Sequence, residues 1–99
     1  LRQVSYFFET PQDHLSRQEI ALRLREESQP DESKRQLLMT VKEAGVRAGA
    51  LMVRPEYESN LDQTLWDELL DGTKSFADVD LPPIKRLKEV IGDLGSALR

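Results

Sequence analysis

The sequence predicts an α+β fold, an antiparallel β-sheet covered on one side by helices. Period-two alternation of apolar and polar residues recurs four times before Ser59. The alternating stretches are parted by polar, proline- or glycine-containing segments. After Ser59 the apolar spacing changes to that of helices.

Gln3 to Glu9 sets Val4, Tyr6 and Phe8 on one face against Ser5, Phe7 and Glu9 on the other, an aromatic-rich strand that Thr10-Pro11 ends. Pro11 to Glu19 is polar, with Leu15 its single aliphatic residue, and reads as a loop with at most one helical turn. Ile20 to Glu26 alternates Ile20, Leu22 and Leu24 with Ala21, Arg23 and Arg25, a second strand. Ser28 to Ser33 is rich in turn formers and connects it to a third strand, Lys34 to Lys42, with Leu37, Met39 and Val41 apolar and Gln36, Thr40 and Lys42 polar. Glu43 to Gly49 reads as a turn. Ala50 to Glu58 then sets Leu51, Val53 and Tyr57 against Met52, Arg54, Glu56 and Glu58 as a fourth strand. Leu61, Leu65, Trp66, Leu69 and Leu70 share a helical stripe over Leu61 to Asp71, with Asn60 and Gln63 as its capping pair and Gly72 as its stop. A second helix runs from Pro83 to Ile91, opened by Pro82-Pro83 and closed by Gly92, with Ile84, Leu87 and Ile91 on one stripe. Asp93 to Arg99 reads as the start of a further, interrupted element.

A chain of 99 residues makes one domain. Its 14 Lys and Arg against 18 Asp and Glu give a net charge of −4, which excludes general attraction to nucleic acid or anionic lipid, so any anion site must be local. No cysteine and one histidine exclude disulfides, thiolate nucleophiles, zinc fingers and multi-histidine metal centres, leaving carboxylates as metal ligands. No apolar run approaches the ~18 residues of a membrane span, and no signal peptide opens the chain, so a soluble, cytoplasmic protein is expected. The opening without methionine, directly in strand-like sequence, reads as a fragment or a processed product.

Successive strand side chains point to opposite sides, so Arg23 with Arg25, Thr40 with Lys42, and Arg54 with Glu56 and Glu58 each share a face. Neighbouring strands would present four cations and two carboxylates together. One reading is the solvated side of a sheet whose other side packs on the helices. The other is a polar interior suited to a polyanion and a divalent cation, with guanidinium and ammonium groups on phosphate oxygens and glutamates as hard oxygen ligands. Thr40 reads as a strand former. Tyr6, Phe7, Phe8 and Trp66 read as core, since no basic residues interleave them as in a base-stacking platform. His14, in a polar loop without partners, is given no catalytic role.

Tyr6-Phe7-Phe8-Glu9-Thr10-Pro11 resembles the Tyr-Phe-Asp-Thr-Pro signature of CYTH domains, the triphosphate tunnel metalloenzymes. Ala21-Leu22-Arg23-Leu24-Arg25 follows at similar spacing, Thr40-Val41-Lys42 resembles the family's Thr-Leu-Lys strand, and Arg54-Pro55-Glu56-Tyr57-Glu58 its Arg-x-Glu-x-Glu pattern. Pro82 to Gly92 is similar to a helix that many bacterial members carry. The resemblance implies that the sheet is part of an eight-stranded antiparallel tunnel barrel hydrolysing an inorganic or organic triphosphate with Mg2+ or Mn2+. Carried over by position, Arg23, Arg25, Lys42 and Arg54 would bind the phosphates, and Glu56 and Glu58 would hold the metal or orient the attacking water.

The chain departs from the family in lacking the Glu-x-Glu-x-Lys strand that precedes the signature and the strands that follow the second helix. It is therefore expected to be a partial domain, incomplete for catalysis, whose open sheet edges favour homo-oligomers. Pro55 removes a ladder donor within the fourth strand and puts an edge or a bulge there. The rival functions are a non-catalytic polyphosphate or nucleotide binder and a small α+β interaction module.

Overall fold

Alternation in the first half of the chain produces strands, and the later apolar stripes produce helices. The computed structural model describes residues 2–9, 14–30 and 35–92. In chain order these form β1 (Arg2–Phe8), α1 (His14–Arg17), β2 (Ala21–Ser28), β3 (Arg35–Lys42), β4 (Val46–Ala48), β5 (Leu51–Val53), β6 (Glu56–Asn60), α2 (Gln63–Asp71) and α3 (Pro82–Ile91), with a 3-10 turn at Phe76–Asp78. Thr10-Pro11 of the signature, most of the turn before β3 and the tail from Asp93 lie outside the described residues.

The main sheet has four antiparallel strands in the order β1-β2-β3-β6. Leu22 and Leu24 of β2 and Met39 and Val41 of β3 are fully buried on one face, where Trp66 and Leu69 of α2 and Ile84 and Leu87 of α3 pack against them. Leu15 of α1 completes that core, which explains why the lone aliphatic of a polar segment sits there. Tyr6 meets Trp66 edge-on at 6.1 Å, and Phe8 meets Phe76 at 4.8 Å. The expected barrel is not closed among the described residues. β1 and β6 lie at opposite edges of the sheet, and four strands are too few to wrap around a tunnel.

The expected fourth strand over Ala50 to Glu58 is divided at Arg54-Pro55. Pro55 has no N–H to donate to a ladder, and its carbonyl accepts instead from the Glu43 amide at 2.9 Å. Upstream of the break, β5 turns back on β4, a strand lying within the segment expected to be a turn. Gly49, at φ 65°, supplies the left-handed backbone that a two-residue hairpin loop requires. Downstream of it, β6 pairs with β3 from Lys42↔Glu56 to Leu38↔Asn60.

That last pair also corrects the cap of α2. Asn60 is still in the ladder, so Asp62 takes the N-cap position and accepts from the Leu65 amide at 2.7 Å. Gln63 bridges Asp67 and Arg35 instead of closing a capping box. Gly72, at φ 82°, ends the helix as expected. Pro82 and Pro83 occupy the first turn of α3, where missing N–H groups remove donors that no helical carbonyl could satisfy.

Candidate functional site

The face turned away from the helices is built in cross-strand rows. In register, Phe7, Arg23, Thr40 and Glu58 form one row, and Ser5, Arg25, Leu38 and Asn60 form the next. Ala21, Lys42 and Glu56 lie at one end of the sheet, and Gln3, Glu27 and Gln36 lie toward the other. Neighbouring strands are about 4.8 Å apart. Five of the six predicted residues, Arg23, Arg25, Lys42, Glu56 and Glu58, thus share this face.

Its centre is well shielded. Thr40 is 1% exposed and Leu38 7%, yet neither belongs to the core cluster. Their neighbours in register on this face include the long side chains of Arg23, Arg25 and Glu58. The Arg23 Nε is buried and finds no hydrogen-bond partner among the described residues. Burial, and then repulsion from Arg25, pulls the Arg23 guanidinium below its ordinary pKa, while Glu56, Glu58 and Glu27 oppose that shift. Arg25 differs, because its Nε donates to Ser5 Oγ at 3.2 Å.

The two carboxylates are also held unequally. Glu58 Oε2 accepts from Thr40 Oγ1 at 3.2 Å, whereas Glu56 lies 3.9 Å from Lys42 Nζ in a half-exposed pair of little energetic weight. Among the described residues no three His, Cys, Asp or Glu side chains are grouped to hold a metal ion.

Arg54 does not join the rows. The break at Pro55 leaves it off the end of the main sheet, where its Nε donates to the Glu43 carbonyl at 3.1 Å. It lines a cleft with Ile20, Ala21, Gly45 and Met52. Glu43 is the junction of this corner. Its carboxylate accepts two hydrogen bonds from Arg86 of α3, and Arg86 also lies 5.8 Å from the Tyr57 ring centre. The pair holds the Glu43 carboxyl below its ordinary pKa and raises that of Arg86.

A second cleft, of about 480 Å³, is lined by Arg2, Val4, Tyr6, Glu26, Ser28 and Arg35. By register it opens on the helix side of the sheet. Arg35 there is already engaged by Glu26 at 2.8 Å and Gln63 at 2.7 Å, so this cleft offers an anion less than the buried Arg23 Nε does.

Sequence reasoning missed three features. Glu27 joins the charged face because β2 runs past Glu26 to Ser28, and continuing the alternation by one step reveals it. Phe7 is 67% exposed on the charged face, which corrects its reading as core. Alternation already separated Phe7 from Tyr6 and Phe8, but its aromatic character argued for burial. Glu9, the signature's departure from Asp, reaches over α1, where its carboxylate accepts from the Leu15 and Ser16 amides at 2.9 Å each and from Ser16 Oγ at 2.6 Å.

Fold and face together define an α+β protein whose antiparallel sheet turns a charged side away from the described helices. The CYTH domain model matches residues 1–96, and the chain belongs to that family, the triphosphate tunnel metalloenzymes, whose members generally depend on a divalent metal. A search of curated proteins finds no match. No helix among the described residues is long and apolar enough to cross a membrane.

Proposed function

We propose that the charged face binds the phosphates of a triphosphate and that the protein hydrolyses it with Mg2+ or Mn2+. The observation that carries this reading is the Arg23 Nε, a buried guanidinium donor with no acceptor among the described residues. Native proteins rarely leave such a donor unpaired, and an anion supplies the acceptor. Arg25 lies beside Arg23 in the same strand and Lys42 lies across the sheet, so a chain of phosphates meets several cations at strand spacing. Arg54 has a subsidiary role at the end of the sheet.

The donor set suits a hard divalent ion. Magnesium is commonly held by one or two carboxylates together with substrate phosphate oxygens, and Glu56 and Glu58 supply two carboxylates on one face. A bound metal would neutralise phosphate charge and polarise the phosphoryl group. The chain's own residues bind and align: Arg23, Arg25 and Lys42 grip oxygens, and Thr40 fixes the Glu58 carboxylate. Phosphoryl transfer needs little more from a protein than such positioning and charge stabilisation.

Calorimetric titration with tripolyphosphate, with and without Mg2+, tests binding. Saturable heat that grows with Mg2+ supports it, and no saturable heat means a merely wet face. Metal-dependent phosphate release by the protein, lost on Arg25→Ala or Lys42→Ala, separates a hydrolase from a binder.

A further inference from the structure

Three consecutive aromatics stand in β1, and the sheet separates them. Tyr6 and Phe8 turn toward Trp66 and Phe76. Phe7 turns the other way and is 67% exposed, directly across from Arg23. Ser5, two residues earlier on the same face, draws the Arg25 Nε toward β1 at 3.2 Å. An exposed aromatic residue therefore stands across from Arg23 and one row from Arg25, at the end of a row whose opposite end is Glu58. A solvated sheet face gains nothing from an exposed phenylalanine there, whereas a ring next to phosphate-gripping cations matches a ligand carrying both phosphate and an aromatic group.

We infer that Phe7 is a specificity residue that stacks on the aromatic or heteroaromatic group of an organic triphosphate, an inference that rests on the anion-binding reading above. The row gives the ligand a direction. The organic group lies over β1, the phosphates cross Arg23 and Arg25, and the terminal phosphate points toward β6 with its two carboxylates. The phenyl ring has no hydrogen-bonding group, so it favours a flat π-system without distinguishing one base edge from another.

The test compares tripolyphosphate, methyl triphosphate and adenosine triphosphate by calorimetry in one Mg2+ buffer, using the chain and its Phe7→Ala and Phe7→Trp variants. The side chain is exposed, so both variants should keep the wild-type melting temperature. Phe7→Ala is expected to weaken adenosine triphosphate about ten-fold and to leave the other two ligands within two-fold, while Phe7→Trp retains or tightens adenosine triphosphate. Equal affinity of the wild type for adenosine and methyl triphosphate overturns the role of Phe7, as does an Phe7→Ala effect common to all three ligands. If tripolyphosphate itself fails to bind the wild type, the anion site falls as well, and the two failures are thereby told apart.

Discussion

Replacing Arg23 with methionine separates a binding role from a structural one, because the two roles predict opposite changes in stability. Methionine keeps an apolar stem of similar length beside Thr40 and removes the guanidinium. The Nε of the lost group is a buried donor without an acceptor among the described residues, and burial and then Arg25 pull the guanidinium below its ordinary pKa. Leaving such a donor unsatisfied costs about 1–3 kcal/mol. The nearby carboxylates return part of that, and the side chain is not wholly enclosed, so the net gain from Arg23→Met is about 0–1 kcal/mol. At the upper end this raises the melting temperature by roughly 4–8 °C for a domain of this size. Binding should move the other way. Charge-assisted hydrogen bonds contribute about 1.5–3 kcal/mol, so tripolyphosphate affinity should fall roughly ten- to a hundred-fold. Thermal melts and calorimetry on the same samples read both quantities. A variant destabilised by about 2 kcal/mol or more, with tripolyphosphate affinity intact, would refute the reasoning and make Arg23 a structural residue.

Glu43 should make part of the stability acid-sensitive: its carboxyl is depressed chiefly by the Arg86 hydrogen bond, so the contribution is complete above the ordinary value of 4.5 and disappears as pH falls through the lower folded value. Melts between pH 3 and 7 should therefore show a steeper acid loss for the wild type than for Glu43→Gln, and parallel profiles would contradict the assignment. Glu9→Ala removes the acceptor of two α1 amides and should cost about 1–2 kcal/mol in urea unfolding, whereas an unchanged midpoint would show that the cap contributes nothing. The double variant Glu56→Gln and Glu58→Gln should bind tripolyphosphate more tightly than wild type without Mg2+ and gain little when Mg2+ is added; a Mg2+ gain equal to the wild type's would place the metal elsewhere.

Much of the fold is legible because alternation and helical spacing are local signals. The face shared by Arg23, Arg25, Lys42, Glu56 and Glu58 follows from period two and antiparallel register alone. Where the reading failed, a partner distant in sequence decided the outcome. Pro55 signals a fault in the fourth strand, but that its carbonyl would take the Glu43 amide, with β5 folding back on β4, depends on pairings absent from the local pattern. The same break carried Arg54 away from the other cations. Asn60 is a good capping residue by type, yet the ladder with Leu38 claimed it and passed the cap to Asp62. The resemblance supplied the family, which composition and periodicity alone did not.

The charge balance of the face connects its basic and acidic halves. Arg23, Arg25 and Lys42 are set against Glu27, Glu56 and Glu58, so the face as a whole is neutral while the chain carries −4. A neutral face on an acidic protein has no long-range attraction for a polyanion, and short-range hydrogen bonds from Arg23 and Arg25 must then overcome repulsion from two carboxylates a few strand spacings away. Under the proposed function, a divalent cation held by Glu56 and Glu58 would offset that repulsion. Metal and triphosphate would then be thermodynamically coupled, each raising the affinity of the other by the same factor. The glutamates would therefore oppose a metal-free triphosphate and favour its metal-complexed form, which is why the double glutamine variant is expected to bind tripolyphosphate more tightly without Mg2+ and to gain little from it.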